Sequence, residues 1–319
     1  MVQLGYTLSS EEFRPNDLVA QSRMAEEAGF SFASISDHFH PWVDAQGHSP
    51  FVWSTLGGIA QVTEKIELMT GVTCPFIRTH PAIIAHATAT VADMLPGRFL
   101  FGVGTGEYLN EHITGEHWPP ISRRQDMLVE ALEIIRELWK GGYKTHHGQF
   151  FNVENARLYT LPETLPPVIV AAAGPESAKL AGEHGDALVS TSPDKEVVDA
   201  YVAAGGDASK VYGQVTVCWQ ASKDEAIKTM LEVWPNSGLS GQLSQELALP
   251  AYFEAAAELV TPDVIEQQSP CGPEVQPILD SIQEYADAGF THIYIHQVGE
   301  NQKEFIDMAK REILPNFAS

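Results

Sequence analysis

The chain is poor in cysteine, in basic side chains and in long apolar runs, and each shortage closes off a class of protein. Its three cysteines, Cys74, Cys218 and Cys271, are odd in number and form no CxxC. Neither a disulfide framework nor a zinc ribbon is expected, and the thiols read as small buried side chains. Lysine and arginine number 19 against 42 acidic residues, a net charge of -23. Nucleic acid and anionic membrane both demand clustered cations, so neither is an expected partner. No apolar run approaches the roughly 18 residues of a membrane span. The chain enters directly into Val2-Gln3-Leu4-Gly5-Tyr6, without the pattern of a secretory leader. These shortages lead us to expect a soluble cytoplasmic protein whose partner is a small molecule.

What the chain does have is alternation. At 319 residues and 44% hydrophobic content it can bury a large core. Val2 to Tyr6 reads as a strand and Pro15 to Ala28 as a helix. Phe30 to Ile35, with period two after the helix stop Ala28-Gly29, is the second strand. Phe51 to Thr63 looks helical, Ile66 to Thr70 extended, Pro81 to Ala92 helical with proline in its first turn, and Arg98 to Gly104 extended. Met127, Leu128, Ala131, Leu132, Ile134, Ile135 and Leu138 then recur at helical spacing before Gly141-Gly142. Strand patterns return at Val168 to Ala171, Ala187 to Ser190, Val211 to Trp219 and Thr291 to His296.

Eight strand candidates separated by helices predict an α/β protein, a (β/α)8 TIM barrel forming a single domain over 1–319. Two segments interrupt it. An inserted hairpin near 143–163 has His146-His147-Gly148 at its turn. An insertion near 235–268, Gly/Ser/Gln-rich and then helical from Tyr252 to Val260, lies over the barrel mouth.

In such a barrel the chemistry sits just beyond the C-terminal ends of the strands. The first strand there delivers Glu11, and the second delivers Ser36-Asp37-His38-Phe39-His40-Pro41-Trp42. The third delivers Thr70-Gly71-Val72-Thr73-Cys74-Pro75, and the fourth Gly104-Thr105-Gly106-Glu107-Tyr108-Leu109-Asn110. Later strands add Ala172-Ala173-Gly174-Pro175, Ser190-Thr191-Ser192 and His296. Structural roles exist for many of them: Asp37 as a cap, Trp42 packed on the barrel lip, His40 and His48 in loops. Asp37, His38 and His40 have no second ligand cluster beside them, so no metal is expected. Gly102-Val103-Gly104-Thr105-Gly106 has Glu107 where a dinucleotide fingerprint would carry its third glycine.

The blocks Ser36 to Trp42, Gly102 to Glu111 and Ala172 to Pro175, in this order and spacing, resemble those of the luciferase-like superfamily. Within it they are most similar to coenzyme F420-dependent oxidoreductases of the glucose-6-phosphate dehydrogenase group. The resemblance runs from Leu4 to the last helix and is weakest between Ala204 and Pro277. It implies coenzyme F420 as cofactor, a homodimer, and hydride transfer from a hydroxyl-bearing substrate to C5 of the deazaflavin. It assigns His38 to proton abstraction, Trp42 to the substrate site, Glu107 to the pyrimidine side of the cofactor and Glu11 to a supporting carboxylate. Asp37, Gly71, Val72, Cys74, Thr105, Gly106, Asn110, Ala172, Ala173 and Gly174 would line the cofactor, with Gly71-Val72 at the family's non-proline cis peptide.

Substrate contacts would come from Trp42, Thr191 and Ser192. The family's sugar-phosphate members carry a lysine soon after the sixth strand. Here the run is Thr191-Ser192-Pro193-Asp194, with Lys195 one step late, and Glu254-Ala255-Ala256 offers no cation either. A secondary alcohol or sugar-like compound, which need not carry phosphate, is therefore the expected substrate. One alternative is a glucose-6-phosphate dehydrogenase whose phosphate is held by Lys195, Arg157 or another cation. Another is an FMN-dependent monooxygenase of the luciferase-like kind.

Overall fold

The strand patterns pair edge to edge into a closed parallel barrel in a computed structural model that describes residues 2–239 and 241–317. The barrel strands are β1 (Gln3–Leu8), β2 (Phe32–Ile35), β3 (Glu67–Thr70), β4 (Phe99–Val103), β7 (Val168–Ala171), β8 (Ala187–Ser190), β9 (Val211–Val217) and β10 (His292–Gln297). They follow one another round the barrel in chain order, and β10 closes on β1 with Tyr6 opposite Ile295. The remaining two, β5 (Lys144–His147) and β6 (Asn152–Ala156), form a separate antiparallel hairpin.

Helices alternate with the strands: α1 (Pro15–Ala28), α2 (Val52–Ala60), α3 (Pro81–Met94), the short α4 (Tyr108–Glu111), α5 (Ile121–Trp139), α6 (Pro175–His184), α7 (Lys195–Ala203) and α8 (Lys223–Val233). The chain goes on through α9 (Leu243–Glu246), α10 (Pro250–Ala257), α11 (Pro262–Gln268), α12 (Gln276–Asp287) and α13 (Gln302–Glu312). Among the described residues no helix is long and apolar enough to cross a membrane.

The period-two alternation divides each strand between two cores. Leu4, Tyr6, Leu8, Ile35, Phe101, Val170, Ile293 and Ile295 face outward against the helices. Phe32, Met69, Leu100, Ile169, Val189, Tyr212 and Tyr294 fill the barrel. Above that apolar plug the inward positions turn polar, which places Thr7, Ser34 and His296 at the mouth.

Two sequence expectations shift. His146 and His147 lie in β5, not in the turn. The cause is Glu130 of α5, whose carboxylate accepts the backbone N–H groups of Gln149, Phe150 and Phe151 and so gathers the turn beyond them. The insertion is also more helical than its composition suggests. A 3-10 turn over Pro235–Gly238 leads to α9, α10 and α11, and both α10 and α11 begin with proline. Residue 240 of that segment lies outside the described residues.

Candidate active site

The exits of β1 and β2 are stapled together: Ser10 N–H donates to Ser36 Oγ at 2.9 Å, and Ser10 Oγ to Ser36 O at 2.8 Å. Glu11 is thereby buried beside the β2 exit. Its Oε2 accepts from Ser36 Oγ at 2.6 Å and Ser9 Oγ at 3.2 Å. The other oxygen, Oε1, lies 3.4 Å from His38 Nε2.

The second ring nitrogen of His38 is tied to the backbone. Nδ1 is 3.1 Å from His40 O, and a carbonyl only accepts, so Nδ1 donates there. Nε2 is the nitrogen that faces Glu11, and a proton carried on Nε2 meets that carboxylate. Trp42 packs edge-on against the imidazole at 4.8 Å and against Phe253 of α10 at 5.2 Å. The insertion therefore holds the indole that walls the histidine.

Asp37 is buried and both its carboxylate oxygens are engaged: Oδ2 by Thr73 Oγ1 at 2.7 Å, Oδ1 by Arg78 Nη2 at 2.9 Å. Arg78 also turns toward Glu111, its Nε 3.8 Å from Oε1, while its backbone N–H donates to Oε2 at 2.7 Å. Burial outweighs this attraction and pushes the Glu111 carboxyl up to about 7. Asn110, expected as a cofactor contact, works as a strut. Its Oδ1 accepts the N–H groups of Phe39 and His40 at 2.9 and 3.2 Å, and its Nδ2 points to Glu107 Oε2 at 3.4 Å. His40 adds a bond to Leu109 O at 2.9 Å, so three hydrogen bonds tie the β2 loop to the β4 loop.

Small residues at the exits of β3, β4 and β7 leave a shelf of bare backbone. The Gly71-Val72 peptide is cis, and a Cβ on Gly71 would lie 2.1 Å from Ser34 Oγ. Gly106 has φ +76°, and a Cβ there would meet Cys74 Sγ at 2.8 Å. Cys74 is thus a buried support beneath the loop, its thiol pushed well above the usual range by burial. Thr105 and Glu107 are half-buried above it.

At β7, Ala172 turns into the outer core, while Ala173 and Gly174 lead into α6. Their N–H groups lie 3.2 Å from Ser177 Oγ, and the space over Gly174 is open. Thr191 and Ser192 are exposed on the β8 exit.

The two cations offered as phosphate ligands are committed elsewhere. Lys195 Nζ lies 2.6 Å from Asp199 within α7. Arg157 stacks over Tyr143 and Tyr159 at the base of the hairpin, which follows the C-terminus of α5 and so sits at the end of the barrel opposite the mouth. The missing cation at Glu254 also has a reason, because its carboxylate accepts the N–H of Asp44 at 2.9 Å. Sequence reasoning missed Arg78, Glu12 and Trp234, and gave no role to Thr73 and Glu111, which stand in the runs it names. A lone arginine just beyond a strand exit in so acidic a chain was the available signal for Arg78.

A parallel barrel with a histidine–glutamate pair and a backbone shelf at its mouth defines a family of small-molecule enzymes, and comparison with known proteins agrees. The chain belongs to the luciferase-like family, described as luciferase-like monooxygenase, which matches residues 1–292. It is 34% identical to the F420-dependent glucose-6-phosphate dehydrogenase of Nocardia farcinica, covering 98% of this chain and 97% of that protein. The corresponding protein of Mycolicibacterium smegmatis is 32% identical with the same coverage. Among solved structures it resembles an F420-dependent secondary alcohol dehydrogenase in complex with an F420-acetone adduct, with TM-score 0.91 and 32% identity over 100% of this chain and 99% of that one. The F420-dependent tetrahydromethanopterin reductase of Methanopyrus kandleri shares the fold, with TM-score 0.79 and 21% identity over 99% of each chain.

Proposed function

We propose that this protein is a coenzyme F420-dependent dehydrogenase that oxidises a hydroxyl-bearing substrate, a secondary alcohol or sugar-like compound without phosphate. The observation that carries the reading is the placement of His38 at the mouth, its Nδ1 tied to the His40 carbonyl and its Nε2 backed by Glu11 Oε1 at 3.4 Å.

The residues at the mouth fit the cofactor. A flat ring needs a surface without projecting side chains, and Gly71, Gly104, Gly106 and Ala173 supply one from three strand exits. An anionic tail needs donors: at the N-terminus of α6 Pro175 has no N–H and the N–H groups of Ala173 and Gly174 donate to Ser177 Oγ, which leaves those of Glu176 and Ser177, with the helix dipole behind them. Bound there, the deazaflavin would supply a hydride acceptor at C5.

Oxidation of an alcohol also releases a proton from the hydroxyl, and His38 Nε2 is the group placed to take it. Glu11 stabilises the resulting imidazolium, while Ser36 and Ser9 orient that carboxylate by occupying its other oxygen. Trp42, pressed by Phe253, excludes water from the imidazole and walls the substrate side. Glu107, oriented by Asn110, stands where a carboxyl can hold a proton beside the cofactor.

The positions of Lys195 and Arg157 favour an unphosphorylated substrate over glucose 6-phosphate. The resemblance also supports a cytoplasmic homodimer, and the exposed Phe51 and Ile83 at the neighbouring ends of α2 and α3 are apolar side chains that a second copy would cover.

The test is titration of the purified protein with F420 and, separately, FMN, followed by absorbance-monitored reduction over a panel of alcohols and sugar phosphates. F420 reduction by an alcohol is the expected result. Binding of FMN alone, with oxygen uptake, would establish a monooxygenase instead.

A further inference from the structure

A second histidine–glutamate pair stands at the same mouth. His296 Nε2 lies 2.9 Å from Glu12 Oε2, and Glu12 Oε1 accepts the N–H of Gly299 at 3.0 Å. Trp234 packs edge-on against the ring at 4.3 Å, repeating the relation of Trp42 to His38. Trp234 and Trp42 contribute to one apolar cluster with Cys218 and Val298, so the two histidines flank a shared indole wall.

The difference lies in the free nitrogen. A carboxylate accepts, so the neutral ring carries its proton on Nε2 and presents Nδ1 as an acceptor. That atom is buried without a hydrogen-bond partner, in a side chain 1% exposed. Thr7 Oγ1 is likewise buried and unpartnered. The β1–β10 ladder, with Tyr6 opposite Ile295, puts Thr7 beside His296 on the inward face. Two orphaned polar atoms on adjacent strands are costly, because each gives up its bonds to water on burial.

We propose that His296 and Thr7 form a recognition subsite for a second, uncharged hydroxyl of the substrate, which makes diols and sugar-like polyols the preferred substrate class. One acceptor and one donor are the complement of a single hydroxyl, which donates to Nδ1 and accepts from the threonine. A phosphate or carboxylate brings acceptors only and would meet the carboxylates of Glu11 and Glu12. A ketone oxygen satisfies Thr7 and leaves Nδ1 bare. The inference rests on the dehydrogenase reading above.

The experiment compares butan-2-ol with butane-2,3-diol, which differ by one hydroxyl, in the wild type and in two variants. Thr7→Val removes the donor at constant shape. His296→Gln keeps an amide on Glu12 and removes the acceptor at Nδ1. The ratio of kcat/KM, diol over monoalcohol, should exceed about 10 in the wild type and fall about 10-fold in each variant. An unchanged ratio, or a wild type indifferent to the second hydroxyl, overturns the proposal.

A readout independent of turnover separates this from failure of the main reading. Ligand-observed NMR on the cofactor-free protein measures acetoin against butanone. Tighter binding of acetoin, lost in Thr7→Val, supports the subsite even in a protein that oxidises neither alcohol. Equal affinities, including no binding of either, overturn it.

Discussion

Glu11 and Glu12 are neighbours in the chain and serve different histidines: Glu11 Oε1 stands 3.4 Å from His38 on the β2 exit, and Glu12 Oε2 stands 2.9 Å from His296 on the last strand. The turn after β1 splays their carboxylates, and bonds from Ser36 to one and from Gly299 to the other hold them apart. The Nδ1 of His38 meets the carbonyl of His40, whereas the Nδ1 of His296 is buried without a partner.

Replacement of the proposed base should separate chemistry from binding. His38→Ala is expected to lower kcat roughly 100- to 10,000-fold. Glu11→Gln should fall in the same direction by a smaller factor, since it removes the countercharge and not the base. Fluorescence titration should show the affinity for F420 within about twofold of wild type in His38→Ala. A large loss of affinity there would move His38 to the cofactor side.

Arg78 is the countercharge of two buried carboxylates, Asp37 and Glu111. Arg78→Met strands them and should cost about 3–5 kcal/mol in urea unfolding. Arg78→Met with Asp37→Asn should recover part of that loss. A cost under about 1 kcal/mol for the single variant would show that solvent reaches the pair.

Glu111 predicts a pH dependence of stability. Folding keeps its proton on up to about 7, whereas the unfolded chain releases it near 4.3. Between these values the native state binds more protons, so stability falls as pH rises, by about 4 kcal/mol in all from this group. Glu111→Gln should abolish that component. Unfolding free energies at pH 5 and pH 8 test it: the wild type should lose about 3 kcal/mol more than the variant on going to the higher pH.

Arg124 anchors the insertion over the mouth. It is fully buried, lies over the Trp118 ring at 4.0 Å, and reaches Pro119 O at 2.8 Å and Gln245 Oε1 of α9 at 3.0 Å. Arg124→Met should raise amide exchange at least about tenfold across α9 and α10 while the barrel strands stay protected. Uniform loss of protection would instead mark Arg124 as a support of the whole fold.

Gly106 carries two constraints that a pair of variants can separate. Gly106→Ala is expected to cost about 1–3 kcal/mol, from the positive φ and from the clash with Cys74. Adding Cys74→Ala should return the steric share and leave the backbone share. Thermal unfolding of the single and double variants gives both values.

The barrel was legible because strand and helix periods differ, and each change of period marked an exit where polar residues stood. His38, Glu11, Trp42 and the Gly71-Val72 cis peptide came from those exits together with the family resemblance. Asn110 was read as a cofactor contact because it lies in the right block. Its use as a strut between two loops depends on backbone N–H groups of Phe39 and His40, about 70 residues away. His146 shows the same limit, since its place in a strand depends on a carboxylate in the preceding helix.

The sequence by itself determined the order of elements and the residue types delivered at each strand exit, because side-chain periodicity and turn residues act locally. Only the tertiary structure decided which carboxylate meets which histidine, and through that which nitrogen is free. Glu12 and His296 are 284 residues apart and meet because β10 closes the barrel on β1. The register of that closure, more than any local preference, sets that pairing at the mouth.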